Sequence, residues 1–383
     1  MNETVVVVGG GVIGLSAALA MHQRGYAVIV LDAGSLHVEP STVSARVYAI
    51  NPASERLFQQ LGVWNSLDAS RVSPYQQMHV WDAATLAHID FDSRMIAAPH
   101  LGCIIDESNI KHALLRAIAN TDIALFPEST LISVQERSQG LEVRTHTHSW
   151  SAALLIIADG ASSSTRELLQ VPITQWSYHQ QALVATVQTE KPHRQTAYQV
   201  FSPEGILAFL PLADPHQCSI VWSSRPKLTE RRTQYTEAEF NQQLSAAFHN
   251  KLGHTQVISK RHAFPLHMRH VKHYAGSHWI IMGDAAHTIH PLAGLGLNLG
   301  LADLSDWLKL LNEKPHSLHA KRTLVTYQRQ RQAAVWQTIA LMEGLKTLFL
   351  TPLTPIARLR GLGLNLCNRF NPLKRLFIDH AVG

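Results

Sequence analysis

The first 32 residues restrict the fold more than any other part of the chain. Thr4–Val8 is a short, β-branched, fully apolar run, as expected of a strand buried on both faces of a parallel sheet. Gly9-Gly10-Gly11-Val12-Ile13-Gly14 follows at once, and an apolar helical pattern through Leu15, Leu19 and Met21 is stopped by Gly25. A second strand, Ala27–Leu31, ends in Asp32. Strand, tight turn, helix, strand and acid in this order make the dinucleotide-binding βαβ unit. Gly9 permits the turn, Gly11 leaves room for a pyrophosphate and Gly14 lets helix and strand close up. Asp32, 18 residues beyond Gly14, is placed to bind ribose hydroxyls. The unit by itself does not separate NAD from FAD.

Two later segments narrow the choice. The apolar run 278–282 reads as a buried strand ending at Gly283, so Asp284 leaves its carboxyl end facing a crevice and can accept hydrogen bonds from sugar-like hydroxyls. Beyond Pro291, Gly294, Gly296, Leu297 and Asn298 bring backbone N–H groups to a helix start, where polar ring edges or negative charge can be held. This segment points to a flavin. Between the two, Ala158-Asp159-Gly160 follows the strand Leu154–Ile157, and Arg166 can reach back across the site. Taken alone, Asp159 and Gly160 read equally as a turn and Arg166 as a solvated helix residue.

A chain of 383 residues with 46% hydrophobic content can bury a large core and suggests about two domains. The first strand begins by residue 4, so no secretory signal is expected, and no run of ~18 apolar residues offers a membrane span. Cys103, Cys218 and Cys367 are too few and scattered for a disulfide framework or a zinc site, which suggests a reduced, cytoplasmic protein. His267, His270 and His273 are spaced three apart but lack an acidic partner, so no metal is expected. A formal charge of +5 gives no argument for nucleic acid, while 23 histidines would add positive charge on mild acidification.

Elements first alternate and then segregate. Pro52–Leu61 reads as a helix and 78–91 as a two-stranded hairpin that leaves the first domain. Ser108–Asn120 reads as a helix with Ser108 as its N-cap, and strands follow near 130–137, 141–147 and 151–157. From 177 to 264 alternating strands dominate: Ala182–Thr189, Ala197–Phe201, Ile206–Leu212 and Cys218–Trp222. One helix among them opens on the capping box Thr236-x-x-Glu239. From Tyr274 the chain returns to the first domain, and Leu324–Leu350 reads as a long helix.

The order of these motifs resembles that of the single-component FAD-dependent aromatic hydroxylases, the group that includes p-hydroxybenzoate hydroxylase. More closely, Ala45–Asn51, Leu61–Trp64 and Gly283–Gly294 resemble hallmarks of the ubiquinone-biosynthesis hydroxylases. Gln180 with Ala182–Thr186, and Glu204–Leu212, are most similar to the 2-polyprenylphenol 6-hydroxylase branch. Leu295 stands where the family commonly has glutamine, Ile157 where it has glycine, and Cys103 and Asp106 where that branch has histidine and glutamate. The resemblance implies an α/β fold: a Rossmann-like FAD-binding domain with an inserted antiparallel-sheet substrate domain and C-terminal helices. The cofactor domain would comprise residues 1–75, 97–176 and 272–325, the substrate domain a hairpin at 76–96 and a sheet at 177–271, and a helical, basic tail residues 326–383.

By the same resemblance Gly9, Gly11, Gly14 and Asp32 would hold the ADP half of FAD, and Arg46 would lie over the cofactor. Asp159 and Arg166 would tie the fingerprint strand to the late motif. Gly283 and Asp284 would meet the ribityl and pyrophosphate region, and Gly294, Gly296, Leu297 and Asn298 the flavin's pyrimidine edge. The implied chemistry is monooxygenation: reduced flavin and dioxygen give a ring hydroperoxide that delivers oxygen to a phenol, so the cofactor carries the bond-making. Catalytic help would come from His290 and Pro291, with His290 as a base. Phe209, Leu210, Pro211 and Trp222 are candidates for the substrate pocket, and each reads equally as core. The electron donor would be NAD(P)H or a partner reductase. The substrate would be a polyprenyl phenol, the partners a multiprotein ubiquinone-synthesis assembly.

The segment 350–377 carries Arg358, Arg360, Arg369, Lys374 and Arg375 among apolar residues, with no acid before Asp379. It can rest on the anionic inner face of a membrane, dock on a partner or close the FAD domain. Hydroxylation at another ring position, a hydroxylase of a soluble aromatic acid and a non-catalytic scaffold in the quinone-synthesis complex stay open. A halogenase is disfavoured because no Trp-x-Trp-x-Ile-Pro stretch is present.

Overall fold

The computed structural model describes residues 3–350 apart from 40–41, 86, 139, 291–293 and 314–317, together with Asn368 and Lys374. Its first layer is a five-stranded parallel sheet ordered Trp279–Ile281, Leu154–Ile157, Thr4–Val8, Ala27–Leu31, Ala124–Phe126. Thr4–Val8 is central, in register with Leu154–Ile157 on one side and Ala27–Leu31 on the other, and Val5, Val6 and Val7 are fully buried. The helix Val12–His22 follows it and packs against the helices Glu107–Ile118 and Leu295–Glu313. A βαβ unit whose first strand is covered on both faces needs that uninterrupted apolar run.

Two local expectations change. The run near 151–157 is two strands: Ser149–Ala152 pairs antiparallel with Gly140–Arg144, whereas Leu154–Ile157 runs parallel to Thr4–Val8. Ser149 and Ser151 alternate with buried or half-buried neighbours, as on a half-exposed hairpin, while all four residues of Leu154–Ile157 are buried. The helix after Gly102–Asp106 starts at Glu107, and its N-cap is Asp106, whose carboxylate accepts from Asn109 N at 3.2 Å. Ser108 Oγ instead donates to Thr42 O at 2.6 Å. The acid wins because it stands at the boundary itself, with an extended backbone and an acceptor oxygen.

The second layer is a nine-stranded sheet. Its path runs His287–Thr288, His262–Val271, Ile173–Thr189, Gln217–Ser224, Gly205–Pro211, Thr196–Ser202, Gln77–Asp82, His88–Asp92, with Thr255–Val257 also on Ile173–Thr189. It is mostly antiparallel, but the hairpin joins Thr196–Ser202 in parallel. Ile173–Thr189 is far longer than the expected Ala182–Thr189 and bends at a register shift between Ser177 and Gln181. Its first half pairs with 267–271, and there His287 and Thr288 of the late motif add the sheet's edge. The two layers are therefore stitched together beside that motif. His267 and His270 lie on the strand His262–Val271, and His270 is buried against Tyr274 and Trp336.

Each layer has its own core. Behind the nine-stranded sheet, Phe209, Trp222 and Leu183 pack with Phe240 and Leu244 of the helix Glu237–Ala247 and with Phe248. That helix does open on the capping box Thr236–Glu239. The helix Lys321–Leu350 packs along Leu295–Glu313 and brings Met342 and Phe349 onto Val80, Ile89, Phe201 and Ile206. Of the tail, Arg358, Arg360, Arg369 and Arg375 lie outside the described residues. Asn368 Oδ1 accepts from Asp90 N and from Lys374 Nζ, each at 3.1 Å, which places those two tail residues on the hairpin. No helix among the described residues is long and apolar enough to cross a membrane.

Candidate active site

The three glycine-bearing segments meet at the carboxyl ends of the parallel strands. At Gly14 a Cβ would stand 1.8 Å from Gly9 O, and at Gly9 (φ +113°) one would stand 2.2 Å from Ala158 O. These two positions close helix on strand and strand on strand. Gly11 differs: a Cβ there would meet nothing within 4 Å. It faces open space where the backbone is left free for a ligand.

Two cavities flank that turn and share Gly11, Ala158 and Gly160. The smaller, about 380 Å³, is bounded by Gly9, Asp32, Asp159 and Lys111. Asp32 accepts from Gly10 N at 2.5 Å and Gly34 N at 2.7 Å, which holds its carboxylate in place with lone pairs to spare. Asp159 Oδ2 accepts from Thr165 N at 3.1 Å, while its Oδ1 is buried without a partner among the described residues. Lys111 supplies a cation that the sequence did not single out, because one lysine on a helix resembles any solvated lysine.

The larger cavity, about 770 Å³, runs from Gly11 and Gly160 past Arg46, Tyr48 and Asp284 to His290 and the helix start at Gly294, Gly296 and Leu297. Arg46 lies over it, more than half exposed, with Nη2 3.6 Å from Asp284 Oδ2, Nη1 4.0 Å from Glu107 Oε1, and its guanidinium 5.1 Å from the Tyr48 ring. Such loose, solvated pairs hold little energy and leave the charge free to meet an anion. Tyr48 OH donates to Glu107 Oε1 at 3.0 Å, and burial keeps this phenol protonated.

Behind the wall, Arg166 Nη1 donates to Ala285 O at 3.0 Å and to Ala161 O at 3.3 Å, joining the Asp159-Gly160 turn to the late motif. The late motif is also held by a residue not foreseen. Asp303, wholly buried, accepts from Gly283 N at 2.8 Å, His287 Nε2 at 2.7 Å and Arg331 Nε at 2.6 Å. Burial would raise its pKa, but His287 and Arg331 outweigh that and hold it below the ordinary range. Asn298 is buried behind the cavity rather than on its wall. Its Nδ2 donates to Ala49 O at 2.7 Å and Gly294 O at 3.1 Å, and its Oδ1 accepts from Asn51 N and Ser54 Oγ. Leu295 packs against the cluster of Val80, Ile89 and Phe201.

His290 lines the cavity and is 1% exposed. Its Nε2 lies 2.9 Å from Gln180 Oε1, and its backbone N donates to Tyr178 OH at 3.2 Å. Burial, then the nearby Lys346 charge, push the imidazole down to about 4. It is neutral at ordinary pH and a weak base, and its Nδ1 is buried without a partner among the described residues. Pro291 lies outside the described residues.

The substrate-pocket expectation needs correction. Phe209, Pro211 and Trp222 are buried on the far side of their strands, Phe209 stacked on Phe248 at 3.8 Å and Trp222 beneath the Arg232 guanidinium at 3.6 Å. Alternation along a strand puts their neighbours on the cavity instead: Ala208, Leu210, Val221, Ser219 and Ser223. Of the four residues named from sequence, only Leu210 faces the space.

The chain matches the protein family described as FAD binding domain over residues 2–341. It is 32% identical to 3-demethoxyubiquinol 3-hydroxylase of Escherichia coli (strain K12), across 99% of this chain and 98% of that protein. It is 30% identical to the mitochondrial ubiquinone biosynthesis monooxygenase COQ6 of Xenopus tropicalis, across 98% of this chain and 92% of that one. The crystal structure of p-nitrophenol 4-monooxygenase PnpA from Pseudomonas putida DLL-E4 superimposes with a TM-score of 0.80 over 100% of this chain and 98% of that chain; at 17% identity the likeness is one of fold.

Proposed function

The chain belongs to the FAD binding domain family and is an FAD-dependent monooxygenase, and from that premise we propose that it hydroxylates the ring of a polyprenylated phenol or quinol in ubiquinone biosynthesis. The observation that carries this reading is one trough, polar and glycine-lined at the Gly9–Asp32 end, apolar where Ala208, Leu210 and Val221 form its wall. An elongated dinucleotide fits the first part, as the bare space at Gly11 and the orphaned Asp159 Oδ1 support. In this reading residues 1–75, 97–176 and 272–325 hold the cofactor, and 76–96 and 177–271 face the substrate.

Gly9, Gly11, Asp32 and Lys111 would hold the ADP half, with Asp159 beside it, Gly14 closing helix on strand behind it and Arg166 fixing the turn. Gly283 and Asp284, with Arg46 above, would hold the chain toward the ring, and Gly294, Gly296 and Leu297 the ring edge. When bound, FAD supplies the redox chemistry by which dioxygen and two electrons, from NAD(P)H or a partner reductase, transfer one oxygen to an electron-rich ring. The protein's own part is position and environment. The apolar strand face excludes water from the reacting ring. His290, neutral and held by Gln180 and Tyr178, serves to orient a hydroxyl rather than to store its proton.

For the ring position, residues 180–186 and 204–212 support 2-polyprenylphenol 6-hydroxylation, while the 32% identity to the Escherichia coli enzyme favours attack at position 3 of a demethoxyubiquinol. A quinone precursor held in a bilayer would bring the protein to the inner face of the membrane and into contact with other enzymes of the pathway. Deleting the gene and identifying the accumulated precursor by mass spectrometry tests all of this. A precursor lacking one ring oxygen is expected, and the missing oxygen names the position; an unchanged quinone profile would overturn the proposal.

A further inference from the structure

Away from the trough, three potential metal ligands from separate parts of the chain converge. Glu55 lies in the first turn of the helix Pro52–Gln60, His100 in the turn before the strand Gly102–Asp106, and Cys103 on that strand. One carboxylate oxygen, one imidazole nitrogen and the sulfur lie within 4.8 Å of one another. His100 Nε2 is 3.3 Å from Glu55 Oε2 and 4.0 Å from Cys103 Sγ. Cys103 is 2% exposed, and the Glu55 and His100 side chains are about 15% exposed.

The geometry excludes one chemistry and favours another. A thiol–imidazole–carboxylate relay needs the acid on one ring nitrogen and the sulfur on the other. Here both approach the same atom, Nε2, which carries one proton at most. Glu55 Oε2 is buried with no hydrogen bond among the described residues, and so is His100 Nδ1. Only the long Nε2–Sγ contact at 4.0 Å and the Nε2–Oε2 contact at 3.3 Å hold the three groups to each other, and a carboxylate, an imidazole and a thiol gathered within 4.8 Å suit a cation. One sulfur, one nitrogen and one oxygen suit zinc, whose bonds of about 2.0–2.3 Å place tetrahedral ligands roughly 3.3–3.6 Å apart. Closing the 4.0 Å gap between Nε2 and Sγ by about half an ångström, with the Glu55 carboxylate drawn in beside them, would make three corners of the shell and leave the fourth for a water.

We propose that Glu55, His100 and Cys103 form a zinc site that clamps the helix Pro52–Gln60 to the strand Gly102–Asp106. Cys103 pairs in register with Ile50 and with Pro74 of the strand Val72–Tyr75, and Tyr75, which follows Pro74, lines the large cavity. The clamped helix is the one tied to Asn298 through Asn51 and Ser54. Zinc therefore stiffens the wall beneath the flavin end of the trough without touching its contents. Binding forms a zinc–sulfur bond and releases the thiol proton to solvent.

The test is a cobalt titration of the full-length, FAD-loaded protein after chelation. One equivalent should bring tetrahedral cobalt bands beyond the flavin absorption and a thiolate-to-cobalt charge-transfer band, both erased by zinc. In C103S the charge-transfer band should vanish, and in C103S and H100N the affinity should fall at least about tenfold. E55Q should weaken binding likewise, and decides the matter if either other variant fails to retain flavin. No saturable band at one equivalent, or an unchanged titration in the variants, overturns the site.

Discussion

Two glycines three residues apart make opposite demands, and exchanging each for alanine separates fold from cofactor. At Gly14 the new methyl would sit 1.8 Å from Gly9 O and 2.9 Å from Gly9 C. Both are backbone atoms of the turn, which cannot swing aside, so helix and strand must part. Overpacking of this kind costs at least about 3 kcal/mol. In a chain of 383 residues that lowers Tm by about 4 °C or more. At Gly11 a methyl meets nothing within 4 Å, and φ is −77°, which alanine adopts freely. G11A should therefore fold as the parent does, within about 0.5 kcal/mol. Its methyl enters the space assigned to the pyrophosphate, and crowding there of about 1–3 kcal/mol weakens FAD about 5- to 150-fold. Thermal unfolding of the apoprotein and FAD titration by flavin fluorescence measure the two effects. A G11A protein that binds FAD as tightly as the parent would refute the assignment of that space. One that loses stability as G14A does would refute the packing argument.

Other outcomes follow from the same structure. D303N leaves Arg331 and His287 facing a neutral amide in a closed interior and should cost about 3–5 kcal/mol, measured by chemical denaturation of the apoprotein. His290 has a folded pKa of about 4, depressed from 6.5, so on acidification the unfolded chain takes up the proton first. Its stabilising contribution is full above pH 6.5 and is lost as pH falls toward 4, by about 2 kcal/mol at pH 5. H290Q should show a correspondingly shallower loss of stability between pH 8 and pH 5, and a slope equal to the parent's would count against a buried neutral imidazole. A208W should block the apolar end of the cavity and cut kcat/KM for the prenylated substrate with FAD binding unchanged. F209A should leave a hole in the second core and cost about 3–5 kcal/mol of stability. Interchanged phenotypes for that pair would mean that the strand faces are assigned the wrong way round.

What could be read along the chain is what repeats locally. The run Thr4–Val8, the glycines at 9, 11 and 14, the acid at 32 and the strand before Gly283 each declare themselves over a few residues, because strand, turn and helix impose their periods on neighbours. Motif order then carried the family and the cofactor. The pocket wall was not legible for a plain reason. In the strand Gly205–Pro211 both alternating sets, Ile206, Ala208, Leu210 and Leu207, Phe209, Pro211, are apolar, so the period of two gives no sign of which faces the cavity. Only the helix Glu237–Ala247, lying on one face, decides it. The same holds for Lys111, for Asp303 with Arg331, and for Glu55, His100 and Cys103. Each is an ordinary residue in its own segment, and its role arises from partners tens or hundreds of residues away that folding alone brings within a few ångströms.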